Sequence, residues 1–358
     1  MTWGVAALLI AGAQAFSQPQ SPDAALLMKH AMEVRALGDL PGALKELRRA
    51  AILKPSLPGV HREIGLILIE QREFASAGGE LREAVRDDPH DYSSRYDLAL
   101  CLANASEIPE ALVEARQLVR LNSRGSTGFY ALGHIKALAG DKEGAIQSFR
   151  VATDLDDKAY RAWFELGKLL EESGDKDAAI HAFEQAIRAQ PNLATARYRL
   201  AVLLKRDGRS ESASAEFAAA RDIQQRRARG EQAARAYRNG VEFLEKDNYT
   251  AAIAELKRAL DLRPDFDETR AAIAETEQRW GASLERTGQE AVALDHYRHA
   301  VEMAPSAETQ NHIGVLLAKR GELEEAIRCF RAALALDPDF PNAKKNLNLA
   351  LDVLRKSQ

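Results

Sequence analysis

The sequence predicts an all-α chain built as a solenoid of helix pairs. Three observations carry that prediction: a helix-rich composition, a motif that returns every 34 residues, and small residues, glycines or prolines at fixed points of each return. The 358 residues are 46% hydrophobic and 28% charged, enough to bury a core and stay soluble, while aromatics are only 6%. Ala, Leu, Glu and Arg dominate, a mix that favours helix over sheet. A net charge of -4 gives no general attraction to nucleic acid, and none is expected as a partner.

The first stretch, MTWGVAALLIAGAQAFSQPQ, differs from everything after it. It has no charged side chain, is apolar from Trp3 to Ala11, and then reads Ala13, Gln14, Ala15, a cleavage-type pattern. The expectation is a signal peptide over residues 1–15 and a short linker over 16–23, with the protein exported to a periplasm or secreted. The apolar run is shorter than the roughly 20 residues that span a bilayer, so no stable membrane insertion is expected after cleavage. An uncleaved N-terminus that tethers the chain to the membrane is the alternative. No cysteine follows the run, which excludes a bacterial lipoprotein.

From Ala24 onward the chain repeats itself. The clearest unit contains WFELGKLLEESGDKDAAIHAFEQAIRAQP, residues 163–191. It reads as two antiparallel helices. Gly167 in the first, with Ala179 and Ala186 in the second, lets the backbones approach closely, while Leu166, Leu170 and Phe183 fill the space between them. Gly174 closes the first helix in the left-handed conformation, Asp175 or Asp177 caps the second, and Pro191 stops it. One such pair cannot bury its apolar face alone, but stacked neighbours can.

The same slots place nine units, beginning near Ala24, Pro58, Tyr92, Ser126, Tyr160, Ala194, Ala233, Ala274 and Ala307. The small slot of the first helix runs Ala31, Gly65, Ala99, Gly133, Gly167, Ala201, Gly240, Gly281, Gly314. The third unit departs most, with Ala115 and Leu118 in place of the usual large and small pair. The spacing grows by five residues between units six and seven, through IQQRRARGEQAA, and by seven between units seven and eight, through DETRAAI. Neither insert holds a proline, so longer helices are expected there, not a new domain. After Pro341, Leu347, Leu351 and Leu354 share one helical face, with polar residues expected on the other: a capping helix for a last unit that would otherwise expose its core.

The pattern carried by Trp163, Leu166, Gly167, Ala179, Phe183 and Pro191 resembles the tetratricopeptide repeat. The resemblance covers nearly everything from Ala24 to Phe340. It implies a right-handed superhelical solenoid of about nine such pairs plus the C-terminal capping helix. Residues 24–227 would form units one to six, 228–340 units seven to nine with the helical insertions, and 341–358 the cap. It also implies that first helices line a concave groove, with the slot after the Trp position pointing into it. Here that slot reads Met28, Arg62, Tyr96, Tyr130, Phe164, Tyr198, Tyr237, Gln278 and Asn311. The five successive aromatics, Tyr96, Tyr130, Phe164, Tyr198 and Tyr237, are the candidate binding ladder, because rings offer large contact area at low entropic cost. Lys205 and Arg206 are expected at the groove end of the sixth unit, where a basic surface would favour an acidic partner segment. Some members of the family clamp the carboxylate tails of chaperones. That would need Lys and Asn where this chain has Tyr or Phe and then Leu100, His134, Lys168 or Val202, so the clamp is absent.

Little room is left for catalysis. The chain has no Walker loop, no G-x-S-x-G and no H-E-x-x-H, and no cofactor or catalytic residue is expected. His296 and His299 have a spacing that suits a metal, but flanking slots offer no third ligand, so they read as solvated surface histidines and no metal is expected. Cys101 and Cys329 lie six units apart and read as buried, inert thiols that do not pair. The Asn104-Ala105-Ser106 and Asn248-Tyr249-Thr250 triplets read as chance glycosylation matches. The functional expectation is a non-catalytic scaffold that binds a protein or peptide, in a groove around units three to seven. An envelope assembly or secretion accessory comes second, and an enzyme or carbohydrate binder using the groove aromatics is the least favoured. The sequence leaves the oligomeric state open.

Overall fold

The computed structural model describes residues 23–36 and 38–357. The expected signal peptide and all but the last residue of the expected linker lie outside them. Every regular element among the described residues is an α-helix, and there are eighteen. None of them is long and apolar enough to cross a membrane. The chain divides into two compact bodies, one ending at Ala220 and the other starting at Arg221.

The first body is a run of antiparallel pairs: α1 (Ala24–Ala36) with α2 (Leu40–Leu53), α3 (Val60–Glu70) with α4 (Phe74–Asp87), α5 (Tyr92–Asn104) with α6 (Ile108–Leu121), α7 (Ser126–Leu138) with α8 (Lys142–Leu155), and α9 (Tyr160–Glu172) with α10 (Lys176–Ala189). It closes with α11 (Ala194–Arg206) and the start of α12 (Ser210–Glu245). The second body holds the rest of α12, then α13 (Tyr249–Leu262), α14 (Asp267–Arg286), α15 (Glu290–Met303), α16 (Ala307–Lys319), α17 (Leu323–Leu336) and α18 (Pro341–Ser357). About nine pairs and a terminal helix are therefore present. The count is eighteen helices and not nineteen because the second helix of repeat six and the first of repeat seven are one helix, α12. The five-residue insert removes the turn between them. The seven-residue insert lengthens α14 to 20 residues.

The repeat slots explain the packing. Ala43, Ala77, Ala111, Ala145, Ala179, Ala213, Ala252, Ala293 and Ala326 are all buried. Opposite them the glycines of the first helices sit under large side chains. A methyl added at Gly167 would lie 2.8 Å from the Phe183 ring, and one at Gly314 would lie 2.5 Å from Phe330. The third repeat solves the same problem differently: Ala99 has a methyl, and the residue in the large position is Ala115, both fully buried. In the sixth, Ala201 keeps its methyl and Phe217 keeps its ring, but the ring is only half-buried and packs edge-on against Tyr198, 5.5 Å away.

The turn inside each pair needs a residue at positive φ. Gly38, Gly140, Gly174, Gly208, Gly288 and Gly321 supply it in six repeats, and Arg72, Ser106 and Asp247 adopt it without being glycine in the other three. Of the two cap candidates, Asp175 is the one that accepts from a backbone N–H, that of Ala178 at 3.3 Å. Asn248 caps α13 in the same way, accepting from Ala251.

Leu347, Leu351 and Leu354 of α18 pack with Ala350 onto Ile313, Leu316, Leu317 and Phe330. The outer face is less polar than expected: Leu349 is 62% exposed and Val353 is 45% exposed.

Candidate functional site: a cleft of tyrosines around Arg161

The first helices of repeats three, four and five bring Tyr96, Tyr130, Tyr160 and Arg161 to one open cleft of about 190 Å³. Ser126 and Thr127 from the start of α7, and Asp156, Lys158 and Ala159 from the turn before α9, complete its wall. Each side chain is placed by its repeat. Tyr96 and Tyr130 occupy the slot after the Trp position, one turn before the small residues Ala99 and Gly133. Tyr160 and Arg161 open α9, after a turn in which the Asp156 carboxylate accepts from the backbone N–H of Lys158 at 2.9 Å.

The cleft is mainly apolar, with hydrogen-bonding groups among the rings. The Tyr130 ring stacks on His134, with centroids 6.1 Å apart, and leans on Phe149 at 6.0 Å. Burial pushes its hydroxyl up to about 12. Burial also raises Tyr96, opposed by the neighbouring Arg161 guanidinium. Burial lowers His134 below the usual imidazole range, so this ring is neutral at physiological pH. The Tyr96 and Tyr130 phenols are therefore protonated at neutral pH. Arg161 Nε donates to the Tyr160 hydroxyl at 3.1 Å, and the guanidinium lies 5.7 Å from the centre of that ring. No carboxylate pairs with Arg161 among the described residues. The lining charges, Lys158 and Arg161 against Asp156, leave the cleft positive. Chemically it can hold a group that is planar or acidic: rings flank it, hydroxyls are at hand, and the Arg161 guanidinium lacks a carboxylate counter-ion among the described residues.

The five rings of the ladder have different surroundings. Tyr96 and Tyr130 share the cleft. Phe164 packs on Phe183 with centroids 5.9 Å apart, beneath the Lys168 ammonium at 5.7 Å, which itself pairs with Glu165 at 2.7 Å. Tyr198 is 56% exposed on Phe217. Tyr237 belongs to the second body and stacks at a tilt on Phe266, 5.2 Å away, beside Ile253 and Leu256. Lys205 and Arg206 are exposed at the end of α11, without a carboxylate partner among the described residues. Much of the surrounding arginine is neutralised locally: Arg197 pairs with Glu216, Arg199 with Glu171, Arg209 with Asp207, Arg226 with Asp222 and Arg227 with Glu231.

Tyr160 and Arg161 were not legible as site residues. Slot arithmetic compares like positions along the chain. These two face Tyr96 and Tyr130 from a different slot of another repeat, a juxtaposition that only stacking creates. The histidine pair also differs from expectation. His296 is half-buried and lies 2.6 Å from the carboxylate of Glu277, which is itself buried. The third group comes from α14, nineteen residues upstream, not from a flanking slot of α15. Cys101 and Cys329 are free, and burial raises both thiols.

Among solved structures the chain is similar to YrrB, described as a TPR protein with an unusual peptide-binding site. The identity is 21%, the TM-score is 0.40, and the match covers 49% of this chain and 90% of that one. It is similar to TTC0263, a thermophilic TPR protein of Thermus thermophilus, at 20% identity and TM-score 0.42, covering 51% and 98% of the two chains. It is also similar to pilF of Pseudomonas aeruginosa, at 19% identity and TM-score 0.43, covering 61% and 97%. Likenesses this partial carry no weight for function. No curated protein matches the chain. The family comparison is decisive, because the Tetratricopeptide repeat matches residues 28–91, 62–126, 130–191 and 164–231, then 236–266 and 307–340. With repeat motifs on well over half of its length and the helix pairs in place, the chain belongs to the tetratricopeptide repeat family.

Proposed function

We propose that this protein is a non-catalytic interaction scaffold that binds an acidic peptide segment of a partner protein in the cleft of Tyr96, Tyr130, Tyr160 and Arg161. The observation that carries the reading is Arg161: a guanidinium oriented by a tyrosine hydroxyl, set among aromatic rings, and without a carboxylate partner among the described residues. A partner's Asp or Glu supplies that carboxylate, and the rings hold the neighbouring backbone. Phe164, Tyr198, Lys205 and Arg206 extend the contact along the same body, with the basic pair favouring further acidic residues. The chain is read as exported, with residues 1–15 removed. Mass spectrometry of the mature N-terminus tests that reading, and an intact Met1 in a membrane fraction would favour the tethered alternative.

The binding test is selection of peptides from a random displayed library on the purified protein. Enrichment of Asp- or Glu-containing peptides is expected. A fluorescent copy of the enriched peptide should bind the Arg161→Ala variant at least about tenfold more weakly, the scale of a charge-assisted contact. Replacing Tyr130, Phe164 and Tyr198 together by Ala should abolish binding while circular dichroism stays helical. Equal binding by the parent protein and both variants would remove the cleft as the site.

A further inference from the structure

We propose that the eighth repeat holds a divalent transition-metal site made by Glu277, His296 and His299, of the kind that takes Zn²⁺. The three side chains offer ligand atoms that all lie within 4.8 Å of one another. Glu277 projects from α14 and the two imidazoles from successive turns of α15. The Nδ1 of His296 is 2.6 Å from one carboxylate oxygen of Glu277, and the Nδ1 of His299 is 4.0 Å from the other.

What sets this cluster apart is the charge balance around a buried carboxylate. The Glu277 side chain is only 5% exposed, and its charge partners among the described residues are two imidazoles, with no Lys or Arg. A buried carboxylate needs a counter-charge or full hydrogen bonding. Other repeats show the ordinary solution at the same nineteen-residue separation. His61 pairs with Glu80 at 2.7 Å, Arg95 pairs with Glu114, and Arg197 pairs with Glu216 at 2.7 Å. There the cationic or imidazole group lies on the first helix and the Glu on the second. In repeat eight the order is reversed, and a second imidazole joins, His299 three residues after His296.

Two imidazoles and one carboxylate form a ligand set that zinc accepts, with water in the remaining position. Bonds of about 2.0–2.2 Å place ligand atoms about 3–3.5 Å apart. The His296 contact therefore opens by less than about 1 Å. His299 is 59% exposed and free to swing inward by a rotamer change. The ion takes the place of the direct contact between Glu277 and His296. The far side of His296 is covered by the Trp280 ring, with centroids 4.0 Å apart, and Tyr249 stacks on Trp280 at 6.1 Å. That aromatic wall fixes the His296 ring, a role that second partners of ligating histidines commonly fill.

The test is isothermal titration of the untagged full chain with Zn²⁺, after treatment with a chelator. One saturable site in the micromolar range is expected. His299→Ala removes an exposed side chain without touching the core, and Glu277→Gln keeps the shape while removing the charge. Each should weaken zinc by at least about tenfold. Cu²⁺ serves as an optical probe: one equivalent should quench Trp280 fluorescence in a Trp3→Phe, Trp163→Phe background, and His299→Ala should abolish that quench. Absence of a saturable zinc heat, or zinc binding by both variants as tight as by the parent protein, would overturn the site.

Discussion

At the scale of single residues, the pairing of a small slot with a large one decides stability. Gly314 of α16 lies under Phe330 of α17, and an added methyl would stand 2.5 Å from that ring. Gly314→Ala is therefore expected to cost about 1–3 kcal/mol in urea unfolding, the usual range for overpacking. The first repeat shows the remedy, since Ala31 and Leu47 are both fully buried there. In a Phe330→Leu background the same Gly314→Ala change should cost clearly less than in the parent protein, a non-additivity expected of residues in contact. Cys101 is decided by burial in the same way. Its thiol donates to the Phe74 carbonyl at 3.3 Å, and burial pushes its pKa up to about 11, opposed by Arg82. A raised value favours the protonated form in the folded state. Its stabilising effect is complete below the ordinary thiol range and fades as pH rises through about 11. At pH 8 only about one molecule in a thousand carries the thiolate, so in a Cys329→Ala variant the native protein should react slowly with a disulfide reagent and rapidly once denatured. Fast labelling of the native protein at pH 8 would contradict this placement. The alternation of small and large residues was readable from the sequence because each slot recurs nine times, whereas the burial of Glu277 was not, because it depends on which helix faces α15.

At the scale of elements, the two inserts show how spacing becomes structure. Without a proline, and with Gly230 held inside the helix, five extra residues do not make a loop. They fuse two helices into α12, 36 residues long. Between Ala220 and Ala233 that helix has no buried residue, and the ion pairs of Arg226 with Asp222 and Arg227 with Glu231 run along its surface. Such i,i+4 pairs contribute only a few tenths of a kcal/mol each. The capping helix is an element with a definite load. Deleting Pro341–Ser357 uncovers Ile313, Leu316, Leu317 and Phe330, together with the face on which Leu347, Ala350 and Leu351 packed. The loss is expected to be several kcal/mol in the second body, at about 1.5–3 kcal/mol per fully buried large side chain. In guanidinium unfolding this should appear as an early transition together with dye-binding apolar surface. A truncated chain that unfolds like the full one would mean that α18 does not close the core. That the cap exists was legible from the spacing of Leu347, Leu351 and Leu354. That Leu349 and Val353 stay exposed was not, since helical periodicity assigns a face but not the width of what covers it.

At the scale of the whole molecule, the chain is two bodies with their own cores, and α12 is the element they share. The segment from Arg221 to Gln232 contributes nothing to either core, and it contains Arg226, Arg227 and Arg229. Local opening there breaks few contacts, so limited trypsin treatment should cut first at these arginines and release two helical fragments. First cuts inside α7 or α9 would show instead that the repeats carrying the cleft are the weakest part. By itself the sequence determined the class of the fold, the number of repeats, the slots that pack and the aromatic positions, because each follows from local spacing repeated along the chain. Only the tertiary structure decided that Tyr96 and Tyr130 meet Tyr160 and Arg161, that Tyr237 packs on Phe266, and that Glu277 faces two histidines. Those meetings depend on how one helix lies on the next, and the stacking of side chains from different slots is not written in any single repeat.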